Sequence, residues 1–228
     1  MPIRKIPTSR RSLTGMVASR KNARLVASES SLERDLLVLL EFDPVVERYE
    51  EQPVCIEYTD REGHRHTYTP DALVYYHAHR VPISDARPLL CEVKYRADLF
   101  TNWKEYKPKI RAGRAYARQN DWRFKILTEH EIRTPYLWNA KFLRQYRRAA
   151  LNERDAHLLL NALREIGESD PDQLLACLHQ EPLKRAELLP TLWWLVSDGQ
   201  IGADLSQLLT MRTRLWTSNS VVEGDRLK

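Results

Sequence analysis

Two short apolar stretches decide the fold: residues 69–76 read Thr-Pro-Asp-Ala-Leu-Val-Tyr-Tyr, and residues 89–95 read Leu-Leu-Cys-Glu-Val-Lys-Tyr. Short apolar runs without a helical period are typical of buried strands. Because alternate side chains of a strand share a face, Leu90, Glu92 and Lys94 are predicted to lie on one face of the second stretch. A carboxylate and an ammonium group therefore project together from an apolar strand, close in sequence to Asp71.

The segments around these strands predict an α/β domain. Leucines at helical spacing from Ser30 to Phe42 predict a helix that Asp43-Pro44 ends. Short strand-like runs follow, with a hairpin loop at residues 60–63, and then a helix at 103–119, a strand at 123–127 and a further helix toward residue 148. The additional strands are predicted at residues 45–49, 54–59 and 66–69. This order favours a mixed central sheet flanked by helices.

The pattern changes beyond residue 150. Helical patterns at residues 156–166, 172–179 and 183–196 precede two strand candidates at 200–205 and 211–217. Three helices followed by a hairpin is the element order of a winged helix. The predicted organisation is a basic arm over residues 1–28, the α/β domain over 29–150, a small, mainly helical, winged-helix-like domain over 151–220 and a tail over 221–228.

Composition narrows the class of protein. The 228 residues are long enough for a core that needs no disulfides, and no run of apolar residues is long enough to span a membrane. Cys55, Cys91 and Cys177 are odd in number and widely spaced, so we interpret them as reduced core thiols of a cytoplasmic protein. His64-x-His66 and His77-x-His79 have spacings that zinc can use, but no closed four-ligand pattern accompanies them.

Charge is unevenly distributed along the chain. The net charge is +5, yet residues 155–228 hold seven basic and eleven acidic residues, which leaves the first two-thirds strongly basic. The first 28 residues carry seven basic residues and no acidic one, and they lack a regular period, which favours a solvated arm. We therefore expect a polyanion to bind the first two-thirds of the chain and a protein partner to contact the acidic remainder.

The apolar strands carry residues suited to phosphodiester hydrolysis. That reaction needs a divalent cation, a positioned water and a group that assists its deprotonation. Asp71 and Glu92 on neighbouring strands would suffice to hold Mg²⁺, and Lys94 would orient the water or stabilise the transition state; a lowered pKa would also suit it to act as a base. The alternative is a surface strand with an ordinary Glu/Lys pair. The role of Glu33 is equally open, because Ser30-x-x-Glu33 has the form of a capping box, in which the glutamate only caps the helix.

Further motifs surround these residues in a fixed order: residues 29–35 (Glu-Ser-Ser-Leu-Glu-Arg-Asp), 39–44 (Leu-Leu-Glu-Phe-Asp-Pro), Gln52-Pro53, 68–71 and 92–95. Together they resemble TnsA, the endonuclease subunit of the Tn-seven-type heteromeric transposases. That family is a branch of the restriction-endonuclease-like PD-(D/E)xK superfamily. The resemblance covers roughly residues 10–148.

The resemblance implies a function and a set of partners. It implies that Glu33, Asp71, Glu92 and Lys94 are the catalytic residues, with Asp71, Glu92 and Glu33 binding the metal, although some relatives have Gln at the position of Glu92. It implies cleavage at the 5′ ends of a transposon, with Mg²⁺ or Mn²⁺, while an RNase H-like transposase subunit cuts the 3′ ends and an AAA+ ATPase regulator engages the C-terminal region. The expected place is the bacterial cytoplasm, at the nucleoid.

A basic stretch follows the predicted active-site strand. Its cations alternate with aromatic residues, which suits the backbone of double-stranded DNA, although a solvated helix face is equally economical. The cations are Lys104, Lys107, Lys109, Arg111, Arg114 and Arg118. Two further hypotheses stay open: a stand-alone restriction or repair nuclease, and a catalytically silent DNA-binding assembly factor on the same fold.

Overall fold

The computed structural model describes residues 15–60, 62–148 and 150–218. The chain divides into two compact units, and the division falls between Arg133 and Thr134. This division lies before the predicted boundary at residue 150, so the helix that follows Thr134 belongs with the second unit. The predicted division of the chain into four parts with separate functions stays a prediction.

The first unit alternates strands and helices. Its described elements are β1 (Gly15–Ser19), β2 (Arg24–Ser28), α1 (Ser31–Phe42), β3 (Val46–Glu51), β4 (Ile56–Thr59), β5 (Arg65–Tyr68), β6 (Ala72–Tyr76), β7 (Leu89–Val93), α2 (Arg96–Thr101), α3 (Trp103–Gln119), β8 (Arg123–Leu127) and α4 (Glu129–Ile132). The predicted helix over residues 103–119 and strand over 123–127 are confirmed to the residue. The predicted hairpin loop joins β4 to β5, which pair antiparallel.

A four-stranded mixed sheet forms the centre of this unit, in the order β3-β6-β7-β8. β6 runs antiparallel to both β3 and β7, whereas β7 and β8 are parallel. A parallel pair needs a long crossover, which α2 and α3 supply here. The predicted α/β fold with a mixed central sheet flanked by helices, of the restriction-endonuclease-like kind, is therefore confirmed.

Helix α3 closes one face of the sheet. Leu73 of β6 and Leu90 of β7 are buried in one cluster with Ala117 of α3. Ile56 and Tyr68 of the β4–β5 hairpin belong to the same cluster, so the hairpin packs with the sheet and α3. The side chains that share a face with Leu90 therefore lie beneath α3 and the hairpin.

The segment over residues 15–28 differs from the prediction of a solvated arm. Residues 15–19 and 24–28 pair as an antiparallel hairpin, which contacts α1. The Lys21 ammonium donates to the carbonyl oxygens of Leu40 at 2.8 Å and Val46 at 2.6 Å, and also to that of Asp43. The basic residues of this segment were predicted to be solvated because the sequence did not reveal these carbonyl partners. Residues 1–14 of the predicted arm lie outside the described residues.

The second unit begins with α5 (Pro135–Leu143). Its other elements are a 3₁₀ turn (Tyr146–Arg148), α6 (Glu153–Ile166), β9 (Glu168–Ser169), α7 (Pro171–Leu178), α8 (Pro182–Asp198), β10 (Ile201–Ala203) and β11 (Leu215–Thr217). Three short strands form an antiparallel sheet in the order β10-β11-β9. The predicted three helices and hairpin are present, and β9 is an additional strand. The winged-helix class stays a prediction.

The cysteines are free, but only Cys91 is buried; Cys55 and Cys177 are exposed. The interpretation of all three as core thiols is therefore wrong for two of them, which lie on outward positions that the apolar pattern did not reveal. Among the described residues, no helix is both long and apolar enough to cross a membrane.

Candidate active site

Asp71 lies where the start of β6 meets the end of β7. Its backbone N–H donates to the Cys91 carbonyl at 3.0 Å, and its carboxylate Oδ2 accepts from the Val93 N–H at 2.6 Å. These bonds hold the carboxylate against β7, one residue away from both Glu92 and Lys94. The Pro-Asp motif therefore starts the strand and places its acidic group at the same time.

The three predicted residues of the strands converge. The Lys94 ammonium lies 2.8 Å from Glu92 Oε1 and 3.9 Å from Asp71 Oδ2. The side chains of Asp71, Glu92 and Lys94 retain 19%, 9% and 24% of their exposure, so the group is largely shielded from water but still reachable. The period-two reasoning that placed Glu92 and Lys94 together is confirmed by this contact.

Burial sets the protonation of this group. Burial raises the pKa of Asp71 well above its ordinary value, and the nearby Glu92 carboxylate raises it further, although Lys94 opposes the shift. Burial alone would lower the pKa of Lys94, but attraction to Asp71 and Glu92 outweighs it and raises that pKa. The pKa of Lys94 therefore shifts in the direction opposite to the lowering that base chemistry would need.

Glu33 adopts the capping arrangement. Its backbone N–H donates to Ser30 Oγ at 3.1 Å, while its carboxylate accepts from Ser30 Oγ at 2.9 Å and from the Glu29 N–H at 2.7 Å. Glu33 still lies close enough to raise the pKa of both Asp71 and Lys94. The carboxylate therefore caps α1 and contributes its charge to the cluster, and its role as a metal ligand stays a prediction.

Two residues that were assigned no role from the sequence contact the site directly. The Tyr68 hydroxyl donates to Glu92 Oε2 at 2.7 Å in a buried hydrogen bond. The Gln52 N–H donates to the Asp71 carbonyl at 3.0 Å, and its side-chain amide donates to Glu29 Oε1 at 3.0 Å. Both residues belong to the ordered motifs of the sequence, which indicated that they matter. Only the folded structure shows which atoms they contact.

A polar network joins α1 to the segment after Lys94. The Arg133 guanidinium contacts Asp35 Oδ2 at 2.9 Å, and it donates to Ser31 Oγ and to the Tyr95 hydroxyl at 3.1 Å each. Ser31 Oγ and the Tyr95 hydroxyl are themselves 3.0 Å apart. Because Glu33 lies between Ser31 and Asp35, and Tyr95 follows Lys94, this network fixes the two segments that flank the cluster.

The six predicted DNA-binding cations all lie on α3, but they do not share one face. Five of them recur every three or four residues, which places them along one side of the helix. All five are exposed and none has an ion pair within the described ranges: Lys104, Lys107, Arg111, Arg114 and Arg118. Lys109 differs, because it pairs with Glu105 at 3.0 Å and lies 5.4 Å from the Tyr106 ring centre. The Lys94 ammonium approaches the same ring at 5.9 Å.

The donor set of the cluster fits a divalent cation. Two largely buried carboxylates lie within 4 Å of one ammonium group, and hard cations prefer such oxygen ligands. In the part of the chain that the structure describes, a closer grouping of three ligand atoms, within 4.8 Å, occurs at Asp60, Glu62 and His64. That group lies in the β4–β5 loop, where Glu62 and His64 are exposed, so it is a separate feature.

Residues 43–129 match the protein-family model described as "TnsA-like endonuclease N terminal". The matched segment contains the strands that carry Asp71, Glu92 and Lys94, and it contains all of α3, whereas Glu33 lies before its first residue. No curated protein matches the chain.

Proposed function

We propose a metal-dependent activity for this chain. The premise is that the chain carries a TnsA-like endonuclease N-terminal domain over residues 43–129. This match confirms the resemblance predicted from the sequence. The proposed activity is hydrolysis of phosphodiester bonds at the 5′ ends of a transposon during cut-and-paste transposition. The observation that carries it is the convergence of the Asp71 and Glu92 carboxylates on the Lys94 ammonium.

Asp71 and Glu92 would hold Mg²⁺, or Mn²⁺ in its place, with Glu33 as a further carboxylate nearby. Such a cation would neutralise the charge that develops on the scissile phosphate and activate the attacking water. Asp71 is fixed for this role by its bond to the Val93 N–H, which orients one carboxylate oxygen.

Lys94 would act as a charged donor. Its ammonium lies 2.8 Å from Glu92 Oε1. With a cation held by the two carboxylates, the ammonium would be a positive donor beside the phosphate or the attacking water, where such a donor would stabilise the transition state.

Helix α3 would bind the DNA backbone. From Lys104 to Arg118 the exposed basic residues span about 21 Å of helix, or roughly six base pairs along a duplex axis. An open pocket of about 360 Å³ lies at the far end of α3, where Arg87 joins Arg114 and Arg118 beside Trp122. Asp121 also lines this pocket and pairs with Arg87 at 3.4 Å, so Arg114 and Arg118 supply the guanidinium groups that suit the oxygens of a phosphate. Lys109, which approaches the same Tyr106 ring as Lys94, would contact the DNA nearer the reacting phosphate.

Partner proteins complete the proposal. We propose that an RNase H-like transposase subunit makes the 3′ cuts and that an AAA+ ATPase regulator controls both enzymes, in the bacterial cytoplasm at the nucleoid. The net negative charge of residues 155–228 supports a protein-binding role for this region, because DNA would be repelled by it.

The decisive experiment maps cuts on both strands. The chain is incubated with Mg²⁺ and end-containing DNA, with and without the candidate transposase, and each strand is labelled separately. Cleavage at 5′ ends that requires the transposase supports the proposal, whereas cleavage without it supports a stand-alone nuclease. Asp71→Ala should abolish the 5′ cuts and leave the 3′ cuts of the partner intact; persistent 5′ nicking by this variant contradicts the site.

A further inference from the structure

Tyr68 reaches the centre of the site from outside the central sheet. It is the last residue of β5 in the β4–β5 hairpin, it is 5% exposed, and its hydroxyl donates to Glu92 Oε2 at 2.7 Å. Only the connection Thr69-Pro70 separates it from Asp71. One short segment therefore supplies both a carboxylate of the cluster and a hydroxyl that contacts the other carboxylate.

The two oxygens of Glu92 have different partners. Oε2 accepts from the Tyr68 hydroxyl, whereas Oε1 lies 2.8 Å from the Lys94 ammonium. Glu92 is buried, so water does not readily replace a lost donor. Two groups thus fix the orientation of the Glu92 side chain: the Tyr68 hydroxyl contacts one carboxylate oxygen, and the Lys94 ammonium contacts the other.

Gly113 of α3 makes room for this arrangement. A Cβ at this position would lie 2.9 Å from Tyr68 Cε1 and 2.7 Å from Phe124 Cε2. Both contacts are too short for carbon atoms, so a side chain at Gly113 would displace the Tyr68 ring. The close approach of α3 and the position of the hydroxyl therefore depend on each other.

We propose that Tyr68 is a positioning residue that presents Glu92 to the metal as a one-oxygen ligand. With Oε2 engaged by the hydroxyl, Oε1 would be the oxygen available to hold the cation. Single-oxygen carboxylates suit Mg²⁺ and Mn²⁺, which keep several waters, whereas Ca²⁺ often takes both oxygens of a carboxylate. The inference rests on the proposed function, because it assigns Tyr68 to the same metal site.

Tyr68→Phe tests the inference, because it removes the hydroxyl and keeps the ring that packs under Gly113. Mn²⁺ and Ca²⁺ binding are measured by titration calorimetry, and urea unfolding checks the fold. Loss of a hydrogen bond to a ligating carboxylate weakens metal binding by about 10- to 100-fold. We expect about tenfold weaker Mn²⁺ binding and a smaller preference for Mn²⁺ over Ca²⁺. Tyr58→Phe is the matched control, since Tyr58 lies on the paired strand β4 and packs on the same core cluster.

The outcomes separate this inference from the proposed function. A change of threefold or less in Mn²⁺ affinity for Tyr68→Phe, with Asp71→Asn losing Mn²⁺ binding, overturns the role of Tyr68 and leaves the metal site standing. A wild-type chain that binds no Mn²⁺ overturns both. If Tyr68→Phe does not fold, the wild-type protein alone tests the inference. Ca²⁺ binding as tight as Mn²⁺ binding would contradict the proposal that Glu92 offers only one oxygen to the metal.

Discussion

Replacing Lys94 with methionine should change metal binding and cleavage in opposite directions. Lys94→Met keeps an unbranched apolar stem of similar length and removes the ammonium that lies 2.8 Å from Glu92 and 3.9 Å from Asp71. This ammonium lies where it would repel a cation held by the two carboxylates. Its removal should therefore make the carboxylates a better metal site while it deprives the reaction of a charged donor.

The magnitude follows from the distances. Oxygen ligands of Mg²⁺ lie about 2.1 Å from the ion. A cation on Asp71 and Glu92 would thus lie within about 6 Å of the Lys94 ammonium in its present position. At that separation a single and a double positive charge repel by roughly 1.4 kcal/mol even at the dielectric constant of water, which corresponds to about tenfold in affinity. A lower effective dielectric constant in this shielded site would increase the gain.

Two assays on the same protein test this reasoning. Titration calorimetry with Mn²⁺ near pH 8 should show at least about tenfold tighter binding for Lys94→Met, while single-turnover cleavage of end DNA should be slower by about 10²- to 10³-fold, as for loss of other transition-state donors. Lys109→Met removes the other ammonium near the Tyr106 ring and should leave Mn²⁺ affinity within about threefold. Weaker metal binding by Lys94→Met, with its fold retained, would refute the view that the ammonium competes with the cation.

The remaining predictions concern the fold, protons and DNA. Lys21→Met should lower the free energy of unfolding by about 2–3 kcal/mol, because three backbone carbonyls lose a charged donor, whereas Lys107→Met should change it by less than about 0.5 kcal/mol in urea unfolding. Since the pKa of Asp71 is raised above its ordinary 3.8, the metal-free protein should lose stability as pH rises through that raised value; the increase in melting temperature on adding Mg²⁺ should therefore grow with pH and vanish in Asp71→Asn. Replacing both Arg114 and Arg118 with Gln should reduce the salt dependence of duplex binding by about two phosphate contacts, and an unchanged slope would exclude α3 from the interface.

Period and turn chemistry were sufficient to predict the elements that carry the site. The strand over residues 72–76 and the helix over 103–119 depend on local patterns, and burial of their apolar faces agrees with those patterns. Glu92 and Lys94 were placed together by strand alternation alone. By contrast, Lys21 has its partners 19 to 25 residues away, so the hairpin that it braces had no local signal.

The same difference explains why Tyr68 and Arg133 were missed. Tyr68 contacts Glu92 across 24 residues, and Arg133 contacts Asp35 across 98, so neither pairing follows from spacing in the chain. The motif order indicated that such residues matter but not what they touch. Local rules identified the groups that react, and tertiary packing determines the groups that hold them in position.

Glu33 shows why a structural role and a chemical role need not exclude each other. As a capping residue its carboxylate is held by Ser30 and the Glu29 N–H, and these bonds fix it beside Asp71 before any cation binds. A carboxylate held in this way needs little reorganisation to contribute its charge to a metal site. The capping box and the predicted metal role are therefore compatible, and the start of α1 provides the rigidity that a precise site requires.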